Sequence, residues 1–177
     1  AGWHHPSDDP KRLGWIRGCR KHGLDPGSRY ALSVADSVAR RIPDVAAAVA
    51  DALVRLDPPP TAFVGTGDDY ALALMGLLTG RGWRIPENLS VVGFDGIFYG
   101  SYGWPPLTTV AQPIGRIAEG AAARLDELIA QRRAGAIPAP EQRLIAPELV
   151  VRGSTAAVAA WRPAGPPAVP RRKLRDG

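Results

Sequence analysis

Residues 61–95, TAFVGTGDDYALALMGLLTGRGWRIPENLSVVGFD, hold two short apolar runs on either side of one helical pattern. TAFVGT and LSVVGFD are rich in β-formers and bounded by turn residues, which marks strands. Between them, DDYALALMGLLTGRG carries carboxylates in its first turn and Gly80 and Gly82 near its end, the usual punctuation of a helix. Strand, helix and strand in that order form a crossover unit of a parallel sheet, which constrains the fold more than any total does. The near-continuous apolar character of LSVVGF further predicts a strand buried on both faces.

The flanking segments extend the alternation. A helix is expected near residues 9–22, followed by extended RYALSV. IPDVAAAVADALVRL then places Val45, Val49, Ala52, Leu53 and Leu56 at helical spacing, with Pro43 just before the helix and DPPP as its stop. Downstream, LTTVAQ is extended, IGRIAEGAAARLDELIAQRRAG is a long amphipathic helix ending at Gly135, and RLIAPELVVRGST supplies one or two final strands. The reading is an α/β protein with a doubly wound parallel sheet, helices covering both sides.

The totals narrow the function classes. A length of 177 residues suits one ordinary domain with a tail. The single cysteine, Cys19, rules out an internal disulfide framework and fits a reducing, cytoplasmic setting. No apolar run reaches the ~20 residues that span a bilayer, and AGWHHPSDDPKR lacks the apolar core of a signal peptide. The net charge of +5 is mostly a property of residues 161–177, which carry +4 through Arg162, Arg171, Arg172, Lys173 and Arg175 against Asp176. That Pro-rich, basic tail is expected to be disordered, and its RRKLR leaves direct DNA binding by this chain as a competing reading, marked by a steep salt dependence.

In an open parallel sheet, ligands gather outside the carboxyl ends of the strands. Asp68 and Asp95 follow TAFVGTG and LSVVGF and lie at such ends. A carboxylate there suits the hydroxyls of a polyol, sugar or nucleoside. The alternative for Asp68 is capping a helix that starts near Asp69; for Asp95 it is an Asx-turn. Phe94, Phe98, Tyr99, Tyr102 and Trp104 form either an apolar wall for a sugar face or a packed loop. GTGDDY is no dinucleotide fingerprint, because Tyr70 occupies the third glycine position. His4, His5 and His22 lack companions at metal-ligand spacing, and Cys19 has no identifiable base, so neither a metal, a cofactor nor enzymatic chemistry is expected.

With these residues in view, the chain resembles the ligand-binding region of the LacI/GalR family of transcriptional regulators, over about residues 8–155. KRLGWIRGCRKHGL is similar to the family's Arg-x-x-Gly-aromatic helix, and residues 59–96 to its PTA, NDxxAxG and vvGfD core. PPLTTVAQP and PELVVRGST match two downstream signatures, and four signatures in order at fitting spacing are what carry the resemblance.

The resemblance implies the type I periplasmic binding protein fold, mainly its C-terminal subdomain, and a small effector bound in a cleft. It implies a homodimer that meets DNA only through an N-terminal helix-turn-helix, which these residues do not contain. Residues 1–160 would form a partial effector-binding domain lacking the first strand of its subdomain, and residues 113–135 would pack in a largely missing N-terminal subdomain. Asp95 matches the carboxylate that contacts the effector, and Asp68 the Asp of the family's Asn-Asp pair. Gly67 stands where that pair has Asn, Lys11 where relatives have an Arg, with Arg12 one step off register, and Ser37 and Val38 where many place a stacking aromatic. The other competing readings are a sugar-binding protein of a transport system and an enzyme on the same kind of sheet.

Overall fold

The computed structural model describes residues 10–27, 31–32 and 41–157. RYALSV apart from its residues 31 and 32, His4, His5, Ser37, Val38 and the tail 161–177 lie outside the described residues.

Helix α1 spans Pro10–Lys21, α2 Ile42–Arg55, β1 Ala62–Val64, α3 Asp68–Gly80 and β2 Ser90–Asp95. A single 3-10 turn at Phe98–Ser101 leads to β3, Thr108–Ala111, then α4, Ile114–Arg133, and β4, Glu148–Val150. Among the described residues the sheet order is β1-β2-β3-β4. Strands β1, β2 and β3 run parallel, and β4 is antiparallel to β3. The α/β class and the parallel crossover expected from residues 61–95 are therefore present. Pro43 sits inside the first turn of α2 rather than before it. That position tolerates proline because the first-turn N–H groups have no intrahelical acceptor.

The core follows from helical spacing. Val45, Ala46, Val49, Ala50 and Leu53 of α2 and Ala71, Leu74, Met75 and Leu78 of α3 are buried. All of these but Val45 pack with Phe63, Val91, Leu89 and Leu107 into one apolar cluster, which Trp83 and Ile85 complete. Phe63 pairs in register with Val91, so both present the same sheet face to this cluster.

The expectation that β2 is buried on both faces is corrected. Val91 and Gly93 are buried, whereas Ser90, Val92 and Phe94 are only half-buried. The apolar cluster of α2 and α3 lies on the Val91 side, and the neighbouring edge residues Ala62 and Val64 are exposed. An apolar run thus marks what a strand tolerates, not which faces are covered.

The final segment ties the sheet together at the start of β2 and β3. Ser154 is buried; its hydroxyl donates to the Val91 carbonyl at 2.6 Å and accepts from the Thr108 N–H at 2.8 Å. It thereby bridges β2 and β3 where their own ladder begins.

Helix α4, like α1 and unlike α2 and α3, buries none of its residues. Ile114, Ile117, Leu125 and Ile129 are all exposed. Its described ties are ionic and polar: Arg116 donates to the Ala146 carbonyl at 3.0 Å, and Arg124 and Glu127 meet Glu141 and Arg143 in one network. The hydrogen bond from Arg143 holds the Glu141 carboxyl below its ordinary pKa, while both groups remain solvent-exposed.

Candidate functional site

The carboxyl ends of β1 and β2 bring together residues far apart in sequence. Strand β2 ends at Asp95, whose φ of 112° is the one positive value among the described non-glycine residues. Gly96 follows with φ 76°, and a Cβ there would lie 2.6 Å from the Ala111 Cβ. Glycine is required here on both counts, conformation and space.

Asp95 is half-buried. Its Oδ1 accepts a hydrogen bond of 2.6 Å from the Gln112 side-chain amide, and its carbonyl accepts the Gln112 N–H at 3.1 Å. Its Oδ2 lies 3.5 Å from where a Cβ on Gly67 would stand. Gly67 is the N-cap of α3, so this oxygen also faces the positive end of a helix.

Lys11 reaches the same place from α1. Its Nζ sits 4.1 Å above the Phe94 ring centre and donates to the Thr66 carbonyl at 3.0 Å. A cation over an aromatic face is held by the ring quadrupole. Arg12, one position on, is exposed on the same helix.

Asp68 has a different position from the one its sequence context suggests. Helix α3 begins at Asp68 itself, with Gly67 as its cap, so the carboxylate does not cap a helix starting at Asp69. Asp68 is 1% exposed. Its Oδ2 accepts the N–H groups of Gly96 and Ile97, each at 2.8 Å, and its Oδ1 accepts the Thr109 hydroxyl at 2.6 Å. One side chain thus ties α3 to the turn after β2 and to β3.

Gly93 makes room for it. A Cβ on Gly93 would run into Asp68 Oδ1 and come within 2.9 Å of a Leu107 methyl. Gly93→Ala is accordingly expected to cost about 2 kcal/mol of stability through overpacking. Urea unfolding followed by circular dichroism measures it, and a loss under about 0.5 kcal/mol, within the range of ordinary surface changes, would contradict the packing described.

Of the five aromatics, Phe94 lies against Lys11. Phe98, Tyr99, Tyr102 and Trp104 are exposed, and Phe98 meets Tyr99 and Tyr102 at ring-centre distances of 6.0 and 4.8 Å. They are not a packed loop. Gln112 and Thr109 also belong to the site without having been singled out in the sequence: Thr109 lies in β3, and Gln112 directly follows Ala111, the strand partner of Asp95. Among the described residues no group of three or more His, Cys, Asp or Glu is arranged to hold a metal, and no helix is long and apolar enough to cross a membrane.

In open α/β sheets ligands gather at such strand ends, and comparison with known proteins identifies the family. The profile of the periplasmic binding protein-like domain matches residues 3–155, and the chain belongs to that family. Within it, the relatives are LacI/GalR-type regulators. The HTH-type transcriptional repressor PurR of Vibrio cholerae serotype O1 is 45% identical over 78 residues, covering 44% of this chain and 23% of the repressor. A LacI-family regulatory protein from Chloroflexus aggregans has a TM-score of 0.69 at 26% identity, covering 88% of this chain and 54% of that one. The regulator CelR, solved in complex with cellobiose, has a TM-score of 0.67 at 25% identity, covering 87% of this chain and 46% of that one. The chain therefore spans about a quarter of that curated relative's length and about half of those solved structures.

Proposed function

We propose that this chain is the effector-sensing portion of a LacI/GalR-type repressor and that its site takes a sugar or a nucleoside-like molecule. The observation that carries the reading is the convergence of Asp95, Lys11, Phe94 and Gly67 at the carboxyl ends of β1 and β2. Asp95 accepts ligand hydroxyls, Lys11 with Arg12 behind it supplies cationic donors, and the Phe94 ring offers an apolar surface. Gly67 has no side chain to crowd the Asp95 carboxylate, whose Oδ2 lies 3.5 Å from where its Cβ would stand. Asp68 serves the site from within, through the turn that carries Asp95, since both of its oxygens are engaged inside the fold. A similar regulator solved in complex with cellobiose supports a sugar-like ligand.

In this reading helix α4 packs in an N-terminal subdomain outside the chain, which accounts for its exposed Ile114, Ile117, Leu125 and Ile129. The protein acts as a homodimer and meets DNA through a domain also outside these residues. It has no catalytic role. Ligand binding closes the two subdomains, and the difference in ligand affinity between open and closed forms drives the switch.

Coupling of this kind is reciprocal: DNA must change ligand affinity by the same factor that ligand changes DNA affinity. The expected result is a roughly 5- to 150-fold difference in ligand affinity with and without DNA. Calorimetry on the full-length protein measures it, using a duplex that the protein selects from a random library and, as ligand, whichever of cellobiose, lactose, D-ribose or adenosine binds. Equal affinities in both conditions would overturn the regulatory reading.

A further inference from the structure

The backbone of Asp95 calls for an explanation that ligand binding alone does not supply. A φ of 112° is unfavourable for an L residue and persists only where the surroundings fix it. Two restraints do so. On one side the buried Asp68 carboxylate takes the N–H groups of Gly96 and Ile97 and locks the turn that follows. On the other, Gln112 at the end of β3 grips Asp95 twice, through its backbone N–H at 3.1 Å and its side-chain amide at 2.6 Å.

The side-chain grip is the informative one. Gln112 is exposed, so its amide could hydrogen-bond to water equally well and its bond to Asp95 adds little to folding. Its geometric effect is larger. By holding Oδ1, it fixes the rotation of the carboxylate and keeps Oδ2 on the side of Gly67 and the start of α3. We propose that Gln112 is a positioning residue for the effector: it orients Asp95 so that Oδ2, rather than either oxygen at random, meets the ligand.

The proposal rests on the reading of Asp95 as the effector carboxylate. A preorganised acceptor binds more tightly because less rotational freedom is lost on binding. Loss of Gln112 therefore weakens ligand binding without weakening the fold. Charge distinguishes this role from simple packing: Gln112→Glu keeps the shape but sets a carboxylate against Asp95, whereas Gln112→Lys keeps a donor within reach.

The test is calorimetric titration of the full-length protein with cellobiose, lactose, D-ribose and adenosine, followed by the tightest binder against each variant, with urea unfolding in parallel. Gln112→Ala is expected to lose up to about tenfold in affinity with an unchanged unfolding midpoint, the scale of one side chain immobilised on binding. Gln112→Glu is expected to lose more, and Gln112→Lys to recover most of the loss. Wild-type affinity in Gln112→Glu, or equal losses in the Ala and Lys variants, overturns the positioning role. If Gln112→Ala binds normally while Asp95→Ala does not bind, the positioning role fails and the effector reading stands. If wild type binds none of the four compounds, the effector reading fails and takes this inference with it.

Discussion

Asp68→Ala is expected to lower the unfolding free energy by about 4 kcal/mol. The carboxylate is 1% exposed and serves three donors, the N–H groups of Gly96 and Ile97 and the hydroxyl of Thr109. Removing it strands those groups, and each unsatisfied buried polar group costs about 1–3 kcal/mol, less where water can enter. The space between α3 and Gly93 also empties. Asp68→Asn should lose about half as much, because its amide oxygen can keep the two backbone donors while its NH2 group turns toward the Thr109 oxygen, which then accepts. Urea unfolding by circular dichroism measures both. A cost under about 1 kcal/mol for the alanine variant, the value of one ordinary hydrogen bond, would show that the three bonds do not organise the sheet.

Asp68 also shows where the sequence could be read and where it could not. The acid after TAFVGTG was visible, as was its place at the head of a helix. Its partners were not, because they lie 28 to 41 residues further along the chain. Gly93 illustrates the same limit. Within LSVVGF it reads as a weak strand residue, and only the packed structure reveals that any side chain there would strike Asp68.

The elements themselves were legible because their patterns are local. Leu74 and Leu78 sit one helical turn apart and both are buried, as the period of α3 requires. The strand LSVVGFD appears as β2 at Ser90–Asp95. What the period cannot report is what lies on the far side of a strand, and so the half-exposed Val92 and Phe94 were read as buried. The same applies to the aromatic loop: Phe98 and Trp104 carry no periodicity, and their exposure depends on neighbours that no local rule names.

The candidate site divides similarly. Asp95 stands out in sequence because a charge ends an apolar run, and the structure sets it at a strand end with a positive φ. Lys11 entered through the family register, and the structure brings its ammonium over Phe94, 83 residues downstream, at 4.1 Å. Gln112 had no such signal, since a glutamine after a strand is common and its value depends on lying opposite Asp95.

The second large effect concerns Asp95 itself. Asp95→Ala removes the one side chain that combines a negative charge, partial exposure and a fixed orientation at the ends of β1 and β2. Alanine retains the backbone cost of φ 112° but leaves Gln112 free to meet water, so the change in stability is expected to be small. Ligand affinity is expected to fall about 100-fold or more, because hydrogen bonds from ligand hydroxyls to a carboxylate are each worth about 1.5–3 kcal/mol.

That contrast is the most direct test of the central claim that Asp95 is the effector carboxylate. The measurement is calorimetric titration of the full-length wild type and Asp95→Ala with the tightest binder among cellobiose, lactose, D-ribose and adenosine, each protein first shown to unfold at its own midpoint in urea. The account predicts a wild type that binds and a folded variant that does not; a folded Asp95→Ala with wild-type affinity contradicts it.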